Sequence, residues 1–230
     1  MTAPIAPEPV SRLRTTKPDQ LVATNLCLPP DPEQPGRQFI VDHAFAPGLV
    51  TLVTPYAASA KSLLRTLALR AAPLSGCLQF GPLDLLTLSP AEAGLWRRET
   101  LRIVSPEMNI PPAHRVLQHI QVATAEHEPM AAVPRALDLL DRFDLGRRVG
   151  TKVGQLAAGS AEAVGIAAAL CILPRILLID DVTRHMGAQL AGRVMLAVRH
   201  QARKRGMIVI AASTDRVVED FADARIATDA

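Results

Sequence analysis

The strand-like run Val50–Thr54 leads through a few small residues to Lys61 and Ser62, and an apolar helical pattern follows. A strand that enters a short loop ending in Lys-Ser at the start of a helix is the layout of a phosphate-binding loop. Such a loop normally contains glycine, because its backbone must approach the phosphates closely. Here Pro55 and Ala60 fill the two glycine positions. The stretch predicts a fold of the nucleotide-hydrolase type in which the nucleotide-binding loop is altered. The alternative is an ordinary strand, turn and helix with no binding role.

The composition is that of a globular protein with moderate charge. The chain has 230 residues, of which 49% are hydrophobic, and its formal net charge is +3. This length is enough to bury a full core. The mild charge and an aromatic content of 3% predict no nucleic-acid partner. The three cysteines, which are far apart and form no C-x-x-C pair, are typical of buried residues in a reducing compartment. No signal peptide or membrane span is evident.

Hydrophobic patterns predict alternating strands and helices after a proline-rich, poorly ordered arm at residues 1–20. We expect an antiparallel start of three strands, at residues 21–28, 38–45 and 49–53. Further strands are predicted at residues 77–80, 101–104, 176–179 and 207–212, and helices at residues 62–72, 160–172 and 187–205, with a helical region at 112–154. Alternation with short turns favours an α/β fold with a parallel sheet that has helices on both faces.

Two carboxylates follow an aliphatic run at residues 176–179. Such a run is typical of a central parallel strand buried on both sides. Asp180 and Asp181 then lie at the carboxyl end of the strand, where open α/β sheets bind ligands. One carboxylate there could hold Mg²⁺ and the next could orient a water. A helix-capping pair is the structural alternative.

A turn of small residues, Leu-Ala-Ala-Gly-Ser at residues 156–160, opens a predicted helix. We expect Ser160 to be its N-cap. The free N–H groups and the positive dipole end of a helix N-terminus suit a phosphate. A plain N-cap without a ligand is the simpler interpretation of this segment alone.

In their order along the chain, these segments resemble those of the ATP-binding subunit of ABC transporters, over residues 21–229. The Walker A, signature, Walker B and switch segments of that family match residues 55–62, 156–160, 176–181 and 207–215. The resemblance implies a P-loop NTPase-like parallel sheet core with an N-terminal antiparallel β subdomain. It also implies a small inserted α-helical subdomain near residues 107–154, within one nucleotide-binding domain at residues 21–230.

The resemblance also implies site residues. The catalytic positions are Asp181, as the base, and Thr214, at the switch position. The metal positions are Ser62 and Asp180. The ATP-binding positions are Ser59, Ala60, Lys61, Ser62 and Leu63 in the Walker A segment and Ala157, Ala158 and Gly159 in the signature segment.

The chain departs from the family pattern in each motif. Proline or alanine replaces glycine at Pro55, Ala58 and Ala60. A residue forced into a glycine conformation costs about 1–3 kcal/mol, so we expect a strained loop. The base Asp181 is one methylene shorter than the usual glutamate, and a misplacement of about 1 Å can cost roughly a hundredfold in rate. Thr214 replaces the switch histidine, and the signature serine is an alanine. Pro106, with Glu107 next, replaces the glutamine of the Q-loop.

These departures predict a degenerate ATP-binding subunit in which hydrolysis is lost and binding of ATP and Mg²⁺ is weak or lost. The resemblance implies two partners, an integral-membrane permease and a second nucleotide-binding subunit, which is either a copy of this chain or a paralogue. It places the chain in the cytoplasm, on the inner face of the cytoplasmic membrane. Two alternatives remain at this point, a slow but active ATPase and a soluble scaffold that reuses the fold.

Overall fold

The computed structural model describes residues 19–29, 39–55, 57–106, 108 and 110–227. Most of the predicted arm therefore lies outside the described residues. The strands are β1 (Leu21–Cys27), β2 (Ile40–Phe45), β3 (Val50–Thr54), β4 (Ser75–Phe80), β5 (Leu83–Asp84), β6 (Leu101–Val104), β7 (Ile176–Asp180), β8 (Ile208–Ala212) and β9 (Ala224–Ala227). The helices are α1 (Ala58–Leu67), α2 (Pro90–Thr100), α3 (Val116–Ala123), α4 (Pro129–Arg142), α5 (Ala158–Cys171), α6 (Ala188–Arg205) and α7 (Arg216–Phe221).

A parallel sheet with the strand order β6-β7-β8-β3-β9 forms the centre of the fold. Each neighbouring pair of its strands runs parallel. Strand β8 is buried along its whole length, and β7 is buried up to Asp180. Strands covered on both faces have continuous apolar sequences, so the aliphatic run before Asp180 predicted this position. The predicted parallel sheet is confirmed.

A second sheet is antiparallel and has the order β2-β1-β4-β5. The prediction of an antiparallel start is right for β1 and β2, which pair with each other. It is wrong for β3, which crosses to the other sheet and pairs in parallel with β8 and β9. The physical reason is burial, because four of the five residues of β3 are buried, and such a strand belongs at the centre of a covered sheet.

The hydrophobic core lies on the two faces of the parallel sheet, since alternate strand residues point to opposite sides. On one face, Leu177 and Ile179 pack with residues of α5 and α6. On the other face, Ile176 and Leu178 pack with α1 and with the antiparallel sheet. The sheet therefore holds the starts of α1 and α5 in fixed positions relative to its carboxyl edge.

Helices α3 and α4 occupy most of the region predicted to be helical and pack against α5. Leu139 and Leu140 of α4 are buried in the same cluster as α5. Short 3-10 turns at Gly146–Arg148 and Val153–Gln155 complete the return to α5. The division of the chain into subdomains at residues 107–154 stays a prediction.

Helix α2 was not predicted, although its start carries a sequence signal. The N–H of Glu92 donates to the Ser89 hydroxyl at 3.3 Å, and the Ser89 N–H donates to the Glu92 carboxylate at 2.8 Å. Hydrogen bonds from the side chain and the backbone of Ser89 lower the pKa of Glu92. The pattern Ser-x-x-Glu is a capping box. The short elements α7 and β9 were also missed.

No helix within the described part of the chain is both long enough and apolar enough to cross a membrane.

Thiol labelling tests this packing. Cys77 is exposed, whereas Cys27 and Cys171 are buried, and burial raises the pKa of Cys171 to about 11. Because the thiolate is the reactive form, we expect Cys77 to react with a maleimide in the native protein. The other two cysteines should react only after unfolding. Mass spectrometry of labelled peptides measures this. In a Cys77→Ser control no rapidly labelled thiol should remain, and rapid labelling of Cys171 there would contradict the fold.

Candidate functional site

The link between β3 and α1 is short. Strand β3 ends at Thr54 and α1 begins at Ala58, instead of at the predicted start, Ser62. The backbone N–H of Lys61 donates to the Ala57 carbonyl at 3.2 Å, as in a helix. The prediction of a loop over residues 55–62 is therefore wrong. The reason is local propensity, because alanine is the best helix former and glycine is among the worst.

The expected backbone strain is also absent at the former glycine positions. Among the described residues, positive φ values at non-glycine positions occur elsewhere, for example at Leu69 and Asp181. Pro55, Ala58 and Ala60 do not have them. The chain avoids glycine-type conformations here by extending the helix backward, so the prediction of a strained loop is wrong.

The start of α1 has no side-chain cap. Its N-cap position is Ala57, and its first turn contains no acidic residue. The first N–H groups of a helix have no acceptor within the helix, and the dipole is positive there. Of the positions predicted to bind ATP in this helix, Lys61 is exposed and Ser62 is half-buried. The remaining three, Ser59, Ala60 and Leu63, are buried.

The two aspartates at the end of β7 have different surroundings. Asp180 is half-buried and pairs in register with Ala212 of β8. Asp181 is only 2% exposed. Its backbone has φ of 47°, a left-handed conformation that aspartate adopts more readily than most residues. The chain therefore turns sharply at Asp181 and directs this carboxylate inward.

The carboxylate of Asp181 is held by the segment that follows β8. Its Oδ1 accepts hydrogen bonds from the Ser213 hydroxyl at 2.9 Å and from the Thr214 N–H at 3.3 Å. Its Oδ2 lies 3.9 Å from Nη1 of Arg184. Buried carboxylates need such donors, because their desolvation is otherwise expensive. The predicted base is thus bonded to the predicted switch segment.

Ser213 is a residue that sequence reasoning missed. It is buried and lies 32 positions from Asp181 in the sequence, so no local sequence pattern predicts the contact. The side chain of Thr214 is exposed, and its backbone N–H makes the bond to Asp181. Asp215 then caps α7, since its carboxylate accepts from the Val217 N–H at 2.9 Å.

The signature segment forms the start of α5. The helix begins at Ala158 with Ala157 as N-cap and no side-chain cap, so the prediction of Ser160 as N-cap is wrong. Ala157 and Ala158 are exposed, but Gly159 is buried. A Cβ at Gly159 would lie 2.4 Å from the carbonyl oxygen of His185. Glycine therefore lets the signature turn pack directly on the segment after Asp181.

A side-chain pair joins the same two segments and was also missed. Nδ1 of His185, in the segment after Asp181, lies 2.6 Å from Oε1 of Glu162 on α5. Glu162 is 8% exposed. The pair and the contact at Gly159 fix the segment 181–187 against the first turns of α5.

These segments meet at one edge of the sheet, because the carboxyl ends of parallel strands lie together and β8 separates β7 from β3 by a single strand. Asp180 ends β7 at this edge, and Lys61 and Ser62 lie in α1, the helix that follows β3. No cluster of three or more His, Cys, Asp or Glu residues in the described ranges is placed to hold a metal ion. Asp181 is turned inward, and α1 extends back over most of the segment that was predicted to be a phosphate-binding loop. The binding roles of Lys61, Ser62 and Asp180 stay predictions.

Comparison with known proteins gives the family. No protein-family model matches the chain. The lipoprotein-releasing system ATP-binding protein LolD 1 of Rhodospirillum rubrum is 30% identical over 177 residues, which cover 75% of this chain and 77% of that protein. The chain belongs to the ABC transporter ATP-binding proteins. An uncharacterized ABC transporter ATP-binding protein of Mycobacterium tuberculosis is 30% identical over 176 residues, or 75% of this chain. The chain spans about half, 53%, of that relative.

Solved structures give the same fold. A dimeric bacterial ABC transporter cassette matches with a TM-score of 0.75 at 21% identity, covering 90% of this chain and 94% of that one. The same cassette in a post-hydrolysis state, bound to ADP and Pi, matches with a TM-score of 0.76 at 20% identity. At these identities the likeness concerns the fold. The parallel and antiparallel sheets described above are those of an ABC cassette.

The buried hydrogen bond from Ser213 to Asp181 in this ABC cassette leads to a prediction about stability. Asp181→Ala removes the acceptor of the Ser213 hydroxyl and places alanine at a φ of 47°. A buried polar group left without its partner costs about 1–3 kcal/mol. We therefore expect the free energy of unfolding, measured by urea denaturation, to fall by about that amount. The Asp181→Asn variant should lose less stability, because its amide oxygen can still accept the hydrogen bond from Ser213 and asparagine tolerates this φ.

The matched control is Asp138→Ala, which breaks only the exposed ion pair of Asp138 with Arg142. Exposed pairs contribute about 0–1 kcal/mol. Equal losses in the Asp138 and Asp181 variants would show that the Asp181 carboxylate does not hold the switch segment.

Proposed function

We propose that this chain is an ATP-binding subunit of an ABC transporter that does not hydrolyse ATP. In this proposal it docks to an integral-membrane permease and pairs with a second nucleotide-binding subunit, either a copy of itself or a paralogue. Membership of the ABC transporter ATP-binding proteins supports the transporter role. The loss of hydrolysis is inferred from the chain's own residues.

The environment of Asp181 is the observation on which the loss of hydrolysis depends. A general base must reach the water that it activates, directly or through one other water. Asp181 is 2% exposed, and its Oδ1 already accepts from Ser213 and Thr214. Freeing the carboxylate would leave the buried Ser213 hydroxyl without an acceptor. The residue best placed by sequence to be the base is therefore a structural connection between β7 and the end of β8.

The proposed nucleotide contacts are few. We assign a weak phosphate contact to Lys61 and a Mg²⁺ contact to Ser62 and Asp180. Pro55 has no N–H to donate, and the alanines that start α1 take the place of glycines. In the signature turn, Ala157 has no hydroxyl, so this half of a composite site would support a partner's ATP only through backbone donors at Ala158 and Gly159.

The proposed location is the cytoplasm, at the inner face of the cytoplasmic membrane. This follows from the proposed docking to a permease, because the chain would reach the membrane through that partner. Nucleic acid is not among the proposed partners, since the net charge of +3 supplies no strong basic surface.

A slow ATPase is the second candidate, and one observation favours it. Lys61 is exposed near the start of α1, and Asp180 is half-buried at the same edge of the sheet. These two side chains would be enough to bind MgATP weakly. Turnover by the isolated chain distinguishes the two candidates.

Restoring the glycines tests the proposal through nucleotide binding. Pro55→Gly, Ala58→Gly and Ala60→Gly together should free the loop, since each Ala→Gly change disfavours helix by about 1 kcal/mol. We expect the triple variant to bind a fluorescent ATP analogue with Mg²⁺ at least about tenfold more tightly than the natural chain, because 1.4 kcal/mol is a factor of ten. Ala131→Gly, on the exposed face of α4, controls for general loosening.

Hydrolysis is measured on the same proteins. The natural chain and the triple variant should both release phosphate at the background rate, because Asp181 stays bonded to Ser213. Turnover by the natural chain at a rate typical of ABC ATPases, abolished by Lys61→Ala, would establish the second candidate instead.

Affinity purification from native membranes tests the partners, and we expect a permease and a second nucleotide-binding subunit to co-purify. A chain that retains no membrane protein would be a soluble scaffold.

A further inference from the structure

A cavity of about 350 Å³ lies along the second half of α5, under the edge strand β6. One of its walls is a stripe on a single face of α5, formed by Gly165, Ala168, Ala169 and Ile172. From Gly165 to Ile172 the helix rises by about 10 Å. A cavity of this size with a mostly apolar wall and a few polar groups is typical of a site for a small molecule.

Arg102 brings a positive charge to this apolar wall. It precedes Val104 by two positions on β6, so both side chains lie on the same face of the sheet. That face carries the core cluster of Val104 and α5, and Arg102 lines the cavity. The side chain is half-buried, and burial lowers the pKa of Arg102. Since a guanidinium remains charged at neutral pH, the cavity wall holds a cation that is partly withdrawn from water.

Contacts within the chain satisfy only part of this guanidinium. Nη1 of Arg102 donates to backbone carbonyls at the end of α2 and the start of β6, at 2.6–3.4 Å. Nη2 lies 2.6 Å from Nε2 of His127. In the described part of the chain, Nε of Arg102 has no acceptor. Glu126, which acts on Arg102 through its charge, is exposed and forms no ion pair with it. The positive charge therefore lacks a bonded anion.

The two histidines near Arg102 add no second charge at neutral pH. His119 lines the cavity, and burial together with the charge of His114 lowers the pKa of His119. Burial and the charge of Arg102 lower the pKa of His127. Both rings are therefore mostly neutral near pH 7, where unperturbed histidine is already largely uncharged. The wall carries a single positive charge, which suits a ligand with one negative charge.

We propose that this cavity binds a small carboxylate with an unbranched apolar tail. The carboxylate accepts hydrogen bonds from the remaining N–H groups of Arg102, whose planar fork suits this group. The tail lies along the stripe on α5 toward Met108, which closes the Gly165 end of the cavity. The proposal concerns a small ligand, and it does not rest on the proposed function.

Three probes test the proposal on the full chain. n-Octanoate has both the charge and the tail, n-octanamide has the same shape without the charge, and acetate has the charge without the tail. Binding is followed by ¹H–¹⁵N NMR shifts at residues 101–104, 119–123 and 165–172, below the micelle concentration of octanoate.

We expect octanoate to bind at least about tenfold more tightly than octanamide, as a charge-assisted hydrogen bond provides. Octanoate should also bind at least about tenfold more tightly than acetate, because its methylenes are buried. Equal affinities in either comparison, or no saturable binding of octanoate, would overturn the proposal.

Three variants assign the binding to this cavity. Arg102→Gln removes the charge and should reduce the ratio of the octanoate and octanamide affinities to about one. Ala123→Leu narrows the cavity from α3 with the guanidinium intact, and it should weaken both probes. Arg98→Gln is the matched control, because Arg98 is an exposed arginine of α2 outside the cavity wall. It should leave the ratio unchanged, since only its backbone carbonyl contacts Arg102.

The position of each variant in the fold decides how it is interpreted. Persistence of the octanoate preference in Arg102→Gln would contradict the proposal. If Arg102→Gln does not fold, because the end of α2 loses its contacts with the guanidinium, Ala123→Leu decides. Unchanged octanoate binding in that variant would show that the ligand lies elsewhere and would overturn the proposal.

Discussion

The hydrogen bond from the Ser213 hydroxyl to Asp181 connects two neighbouring parallel strands where they leave the sheet. Asp181 accepts this bond in a left-handed conformation that turns the chain back toward α5. The following residues then pack on Gly159 and bring His185 to Glu162. One buried carboxylate thus organises three regions that are distant in sequence, the end of β7, the end of β8 and the start of α5. Buried polar groups of this kind are stable only when they are satisfied.

The start of α1 reflects a competition for backbone N–H groups. An amide that donates to a helix carbonyl, as the N–H of Lys61 does to Ala57, is not available to a phosphate. Glycine would favour the open loop, whereas alanine at positions 58 and 60 favours the helix. In our proposal this helical start takes the place of a phosphate-binding loop, and the role of the chain in a transporter is to assemble rather than to hydrolyse.

The parts of the fold that follow from the hydrophobic pattern and from the order of the motifs along the chain were predictable from the sequence. The buried run before Asp180 identified a central parallel strand, and the order of the motifs along the chain identified the family. Helix α2 was predictable from the capping box at Ser89 and Glu92. The start of α1 lies before the predicted Ser62 because alanine, with its high helix propensity, extends the helix backward. In each of these cases the physical signal is local in the sequence.

The contacts that define the site were not predictable in the same way. The bond between Ser213 and Asp181, and the pair of Glu162 with His185, join side chains 32 and 23 positions apart. Such contacts depend on the packing of strands and helices, which a single sequence does not display. They also show which carboxylates are already bonded inside the chain.

A crystal structure grown with Mg²⁺ and a non-hydrolysable ATP analogue tests the central claim most directly. The account predicts that α1 still begins at Ala58, that Asp181 remains bonded to Ser213, and that no ordered triphosphate is surrounded by main-chain amides between β3 and α1. A structure in which the first turn of α1 unwinds, residues 57–62 enclose the triphosphate and Asp181 leaves Ser213 to face a water at the γ-phosphate would contradict it.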